Sequence, residues 1–409
     1  MNEYIEQQRL ETTGQTTAVE ADDRQSQPSR GELRERCSGL VEAPNILDHV
    51  VVALRAMRFA GPTWPALLVV LAMFSRNLQK PVSVVMQGES SSGKSYTIDQ
   101  ALRFFPPEAY YRLTAMSSKA LIYSLEEFSH RMIVVCEGKG LEGDFTSYVI
   151  RSLLSEGRID YEVTDIEHHR TVRIQKEGPS GLISSTAGRV QYELGTRILS
   201  VPSDDSREMT SQILMAEAEE AESGSASVDL TAFHALDQWI ATGPHDVVIP
   251  FAKQIAQGTD GTAVRMRRDF GAVLGLVRTH ALLHQANRDT DQLSRLVATV
   301  DDYRAVHALV SQIIARASGR TVPAGVRELV AAVADHKDKA GGHLHGGVPY
   351  RLLADTLGVS RPTISRRANS AITLGYLTDV GANSKHRLDL GDAMPEDAGV
   401  LPDPDTIRN

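Results

Sequence analysis

The chain has 409 residues, 42% of them hydrophobic, and only two cysteines, Cys37 and Cys136; it is long enough for two or three domains and lacks both a disulfide framework and a cysteine-based zinc site. Its net charge of −9, from 43 Lys plus Arg against 52 Asp plus Glu, excludes nucleic-acid binding through bulk basicity, so any such contact has to come from local clusters. The longest apolar stretch, Trp64 to Phe74, is interrupted by Pro65 and falls short of the roughly 20 residues that span a bilayer, and the first residues hold no basic-then-apolar leader, so a cytoplasmic chain without a membrane partner is expected.

Residues 1–44 are rich in Gln, Glu, Thr, Ser and Arg and read as a disordered leader. From Asn45 the pattern changes: Ile46, Leu47, Val50, Val51, Leu54 and Met57 recur at helical spacing, and after Gly61 and Pro62 a second apolar helix is expected to about Leu78. Short apolar runs then alternate with helical patterns: Val82 to Met86, Met132 to Val135, Gly181 to Ser184 and Ile198 to Val201. That alternation predicts an α/β fold with a parallel sheet, whose core with its preceding helices spans residues 45–204. Residues 205–322 read as wholly helical, and residues 323–391 as a helix, a Gly-rich loop, a helix–turn–helix pair and two short strands. The tail, 392–409, with Pro395, Pro402 and Pro404, reads as unstructured.

The sharpest local signal is GESSSGKS, formed by Gly88, Glu89, Ser90, Ser91, Ser92, Gly93, Lys94 and Ser95 after the run PVSVVMQ and before a helical pattern opening at Tyr96. Two glycines let the backbone turn tightly, so that successive N–H groups face phosphate oxygens at the positive end of the following helix. Lys94 is placed to reach the β- and γ-phosphates and the Ser95 hydroxyl to ligate Mg²⁺, which makes ATP and Mg²⁺ the expected cofactors. A second apolar strand ends at Glu137, a residue suited to polarise an attacking water and a second candidate Mg²⁺ contact; Cys136 stands where an Asp would assist the metal, with Asp144 as a substitute. The strand ending in Ser184, Ser185 and Thr186 offers small hydroxyls at the sheet's carboxyl edge, of which Thr186 is expected to orient the water near the γ-phosphate. Arg197, just before the next apolar strand, is placed for an arginine finger, although a surface arginine reads the same way.

This order of parts resembles the AAA+ ATPases, and among them the minichromosome-maintenance-like helicases and the primase-associated ATPases of mobile elements, over about residues 60 to 380. The resemblance implies an AAA+ P-loop core with a helical lid, assembled into a homo-oligomer such as a hexameric ring. DFTSYVIRSLLSEGRI (144–159) is similar to the family helix before a pore-facing hairpin, and YEVTDIEHHRTVRIQ (161–175) fits that hairpin. By this resemblance His168, His169 and Arg170, backed by Arg173 or Lys176, touch DNA phosphates; taken alone the segment is equally a solvated surface hairpin. VRMRRDFGAVLGLVRTHALLHQ (264–285) is similar to the lid helix that carries a second sensing arginine to the γ-phosphate, with Arg268 at the matching position and Arg267 in reserve. The sequence departs from the helicases at Cys136 and in having Ser and Thr where their sensor strand favours Asn.

Residues 350–377 have the shape of a winged helix–turn–helix: an apolar helix, a turn at Gly358, a cap at Ser360 and a second helix opened by Pro362. That second helix offers Arg361, Thr363, Ser365, Arg366 and Arg367 to DNA, and a wing around GANSK offers Lys385 and Arg387. Winged helices also serve as protein-docking modules. The expectation is therefore an ATP-dependent DNA motor or remodeller in replication, with DNA and a primase or other replication protein as partners. The alternative is a nucleotide-gated DNA-binding regulator, or a helicase or primase loader, with little hydrolysis of its own.

Overall fold

The computed structural model describes residues 28–90, 92–136, 143–166, 168–187, 195, 197–203, 207–224, 226–261, 265–317, 324–339, 347–381, 386–394 and 400–408. Seven strands follow one another in its first half: β1 (Val84–Gln87), β2 (Tyr110–Leu113), β3 (Arg131–Val135), β4 (Arg158–Asp165), β5 (Arg170–Glu177), β6 (Ser180–Thr186) and β7 (Leu199–Pro202). β4 and β5 form a separate antiparallel hairpin, and the other five make one parallel sheet in the order β2-β3-β6-β1-β7. The inner strands are buried on both faces; β1 and β3 are rich in Val, Ile and Met, while the buried Ser180 and Ser184 of β6 donate their hydroxyls to carbonyls of β3. The four apolar runs of the sequence fall within two residues of β1, β3, β6 and β7. β2 escapes the apolar-run criterion because Tyr-Tyr-Arg-Leu sits half-buried at the sheet edge.

The helix Trp64–Phe74, apolar on every side, is buried from Pro65 onward between the sheet's helix Lys94–Leu102 and the long helix Met266–Leu283. The 3₁₀ turn after it carries Arg76, whose guanidinium meets the buried Asp237 carboxylate through two bonds of 2.7 and 2.8 Å and so ties the core to the helix Thr231–Ala241. The second half is not wholly helical: β8 (Val247–Val248) and β9 (Leu296–Val297) pair in parallel between its helices.

Two expectations about the ends need correction. Within the supposed leader, Arg30–Arg36 is a helix with a capping box of Ser29 and Glu32, and Leu33, Cys37, Leu40 and Val41 enter the main core. Arg30 lies over the Trp239 ring at 4.7 Å. Within the supposed tail, Val400 and Leu401 are buried, and Pro402 O accepts the hydroxyl of the fully buried Tyr303 at 2.7 Å. A buried phenol needs such an acceptor, which the proline-rich segment supplies. The C-terminal part builds its own core, with Leu329, Val333, Leu353, Ile364 and Leu388 among its members. It consists of the helices Ala324–Lys339, Tyr350–Leu357 and Arg361–Thr373 and a three-stranded sheet of β10 (Val348–Pro349), β11 (Leu377–Asp379) and β12 (Arg387–Leu390), ordered β10-β12-β11. Among the described residues no helix is long and apolar enough to cross a membrane.

A buried polar network closes the helical half. Asp302 accepts from His280 Nδ1 at 2.7 Å, from Arg288 at 2.6 and 3.0 Å and from the Thr299 N–H at 2.7 Å. His284 donates from Nδ1 to His280 O and accepts the Ile46 N–H at Nε2, which satisfies the neutral ring completely. Two histidines and a carboxylate this close resemble a metal-ligand set. Yet His284 Nε2 and both Asp302 oxygens are already committed, and the Arg288 cation sits among them, so the cluster is a structural network. Burial, reinforced by the His280 charge, pushes His284 down to about 4. Between the ordinary histidine value near 6.5 and that value only the unfolded chain takes up the proton, so stability is full above pH 6.5 and falls as the pH drops. Thermal melting from pH 7.5 down to 5 is expected to show a falling midpoint, with up to about 3 kcal/mol lost by pH 4; His284→Gln should flatten this slope, and an unchanged slope would refute the assignment.

Candidate functional site

The phosphate loop sits at the carboxyl edge of the sheet, anchored from both sides. Gly88 N–H bonds Thr186 O at the end of β6, and the Ser203 N–H past β7 bonds Gln87 O at 2.7 Å. Gly88 is packed so closely that a β-carbon there would lie 1.7 Å from Ser203 Oγ and 3.0 Å from its Cβ, so a larger residue requires Ser203 to move. Gly93 caps the helix Lys94–Leu102 from a left-handed conformation with φ 76°, which an L side chain adopts only with strain. The two glycines of the motif thus have different duties, one steric and one conformational. Together they aim the first N–H groups of that helix at the loop, a geometry that fits phosphate.

Lys94 is 8% exposed, and its Nζ contacts Ser92 Oγ at 3.2 Å and the Glu89 carbonyl oxygen. Burial pushes its pKa down. Ser92 Oγ also meets Ser203 Oγ at 2.7 Å. Ser95 Oγ lies 3.5 Å from Ser185 Oγ, and Ser185 donates to Cys136 O at 2.5 Å. A hard cation takes oxygen ligands, so Ser95 fits Mg²⁺ whereas the Cys136 thiol does not. That thiol is occupied by Arg112, whose Nε lies 3.3 Å from Sγ while its Nη2 pairs with Asp99 at 2.8 Å. The side chain replacing the usual Asp is therefore part of a surface network reaching back to the P-loop helix.

Several expected residues take different places. Ser185, the neighbour of the expected Thr186, is a strand residue whose hydroxyl approaches Ser95. Ser184 is fully buried and donates to Val135 O, so it is structural. Glu137, Ser91 and Lys385 lie outside the described residues. Tyr96 opens the P-loop helix half-exposed and stacks on Phe59 at 5.6 Å.

Arg197 lies at the other edge of the sheet. Val84 pairs with Leu199 and Gln87 with Pro202, so Arg197 precedes β7 at the amino edge while the phosphate loop follows β1 at the carboxyl edge. Four residues at about 3.3 Å each separate the two edges by roughly 13 Å. Arg197 Nε donates to Ser155 Oγ at 2.5 Å, and burial, with the charges of Arg268 and Arg151 behind it, pushes its pKa down. Arg268 is exposed in the first turn of Met266–Leu283 beside the exposed Arg267, and its charge acts on Arg197.

The hairpin of β4 and β5 holds eight residue pairs in register from Arg158↔Glu177 to Asp165↔Arg170. At its tip His168 Nδ1 lies 3.0 Å from Asp165, Arg170 Nε lies 3.5 Å from the same carboxylate, and His169 has a left-handed φ of 45°. All three side chains are exposed. Arg173 is paired with Asp160, and Lys176 Nζ lies 3.4 Å from Glu126 O at the hairpin base.

In the C-terminal part, Ser360 caps the helix Arg361–Thr373 through the Thr363 N–H, with Pro362 in its first turn. Arg361 is exposed and Thr363 and Ser365 are half-buried. Arg367 pairs with Glu328 at 2.8 Å and braces this helix on its neighbour, and Arg387 donates twice to Gly347 O, so neither is presented as the sequence suggested. Arg366 contacts the Glu89 carboxylate of the phosphate loop, a junction between chain segments 277 residues apart that no local pattern announces.

A search of curated proteins gives no match. Residues 57–234 match the family model described as the MTBMA_p00010 P-loop domain. That stretch, less than half of the chain, holds the whole five-stranded sheet, the phosphate loop and the hairpin, so the chain contains a nucleotide-binding P-loop domain of the NTPase kind.

Proposed function

We propose that the chain is an AAA+ ATPase that assembles into a ring, hydrolyses ATP between adjacent copies and moves along or remodels DNA, as a replication helicase or initiator would. The observation that carries this reading is the separation of Lys94 and Ser95 from Arg197 by the depth of the sheet. Arg197 is anchored on Ser155 at the far edge, so it serves a phosphate only when that phosphate belongs to another copy. A ring of head-to-tail copies puts one edge against the other at every interface. The exposed tip of His168, His169 and Arg170 supports a DNA contact inside such a ring. The capped helix with Arg361, Thr363, Ser365 and Arg366 next to the β11–β12 pair supports a winged-helix DNA contact outside it. The helices between 207 and 317 are read as the lid.

One contact favours a second reading, in which nucleotide gates a DNA-binding regulator: Arg366 of the would-be reading helix rests on Glu89 of the phosphate loop. The deciding measurement is phosphate release with and without single- and double-stranded DNA, run beside oligomeric mass. A large assembly with DNA-stimulated turnover is expected. A monomer or dimer that binds duplex tightly without turnover would replace the first reading by the second.

A further inference from the structure

We propose that the helix Arg207–Ser223 is an interface helix that seats on the basic start of the helix Met266–Leu283 in a second copy of this chain; the proposal rests on the head-to-tail assembly above. The helix runs for 17 residues, yet none of its residues from 208 to 223 is buried. Its inner row, Met209, Ile213 and Ala216, is half-buried, and the Met209 sulfur packs on Gly61, where a β-carbon would lie 2.3 Å from it. Arg58 fixes the far end by donating to Glu219 O at 2.8 Å and to Ser223 Oγ at 2.7 Å. The opposite face points away from the molecule and carries Leu214 and Met215, each 60% exposed, with Ala218 one turn on. Glu208, Glu217, Glu219 and Glu222 frame that apolar row. A helix held at both ends that turns large apolar side chains outward presents a contact surface without its partner.

Charge selects the partner. Glu217, Glu219, Glu220 and Glu222 crowd the last two turns, where the helix end is already negative and like charges three residues apart repel. Glu217, Glu219 and Glu222 meet no cation among the described residues. Such a face repels a nucleic-acid backbone and suits cations whose apolar stems can cover Leu214 and Met215. Arg267 and Arg268 have that chemistry: both are exposed in the first turn of Met266–Leu283, at its positive end, and neither meets a carboxylate among the described residues. Position agrees with charge. Arg207–Ser223 follows β7 on the carboxyl side of the sheet, and Phe59, beside Arg58, stacks on Tyr96 of the P-loop helix. Met266–Leu283 reaches the amino side, where a β-carbon at Gly275 would lie 2.8 Å from Val82 before β1 and where the charge of Arg268 acts on Arg197. A head-to-tail contact brings these two different surfaces together, one from each copy.

The test uses the full-length protein and reads oligomeric mass across protein concentration with an ATP analogue present. Joint replacement of Leu214→Ser and Met215→Ser is expected to raise the concentration at half-assembly on the order of 30-fold, from the apolar area left in water. Circular dichroism and melting should match wild type, because both side chains are exposed. Charge reversal by Glu219→Arg with Glu222→Arg should prevent assembly, and so should Arg267→Glu with Arg268→Glu. Mixing the two reversed proteins should restore it, since alternating copies then present opposite charges at every contact; a loss of folding is not repaired in that way. Wild-type assembly that survives the Leu214 and Met215 replacements, or reversed proteins that mixing does not rescue, overturns the proposal and leaves the inter-subunit reading standing. A wild-type protein that stays monomeric with nucleotide at every concentration removes that reading and the proposal together.

Discussion

Lys94→Ala is expected to abolish turnover, with a loss of at least about 100-fold in phosphate release and a matching loss of ATP-analogue binding. Lys94 is nearly buried at the start of the P-loop helix, and its ammonium is held by Ser92 Oγ and the Glu89 carbonyl across the loop. Those are the oxygens that an entering phosphate displaces, so the same charge that holds the loop becomes available to the anion. Removing it leaves the backbone N–H groups and helix end to meet the phosphate charge alone. The fold should survive, because alanine is the best helix former and Lys94 pairs with no carboxylate among the described residues. Calorimetric melting of the variant should therefore match wild type while fluorescent-nucleotide titration shows the loss. Wild-type turnover in this variant would remove the phosphate assignment itself.

The legibility of the site follows the range of the interactions that build it. Gly88, Gly93, Lys94 and Ser95 are readable because one local turn fixes all four, and the strand runs before and after them are readable because strands buried on both faces have to be apolar. β2 is not, since an edge strand need not be apolar. Ser185 and Thr186 close the same run, and the 3.5 Å approach of Ser185 to Ser95 follows from the register of β6 against β1, which no local pattern carries. The roles of Cys136 with Arg112, of Arg366 with Glu89 and of Arg197 with Ser155 all depend on pairs distant in the chain, and nothing in the local pattern encodes them. The ends are less legible for a different reason. Composition favoured disorder, yet the capping box at Ser29 and Glu32 was a readable start signal, while the docking of Pro402 on Tyr303 was not.

Arg197→Ala is expected to leave ATP binding intact and to lower turnover roughly 1,000-fold, the low end for loss of an arginine finger. The separation of effects matters more than the size. A residue that precedes β7 at the amino edge of the sheet lies about 13 Å from the carboxyl edge that carries its own phosphate loop, so removing it should not change the affinity of an isolated copy. Its partner Ser155 keeps the guanidinium directed along the helix Asp144–Glu156, which makes the planar fork useful and a point charge a poor replacement. Arg197→Lys should therefore recover little. Single-turnover phosphate release beside equilibrium nucleotide titration separates the two effects. A variant with full activity would refute action between copies, and one that lost binding in the same proportion as turnover would place Arg197 at its own nucleotide after all. If binding holds and hydrolysis fails, the two edges of the sheet are the two halves of one site, which closes only when a second copy is present.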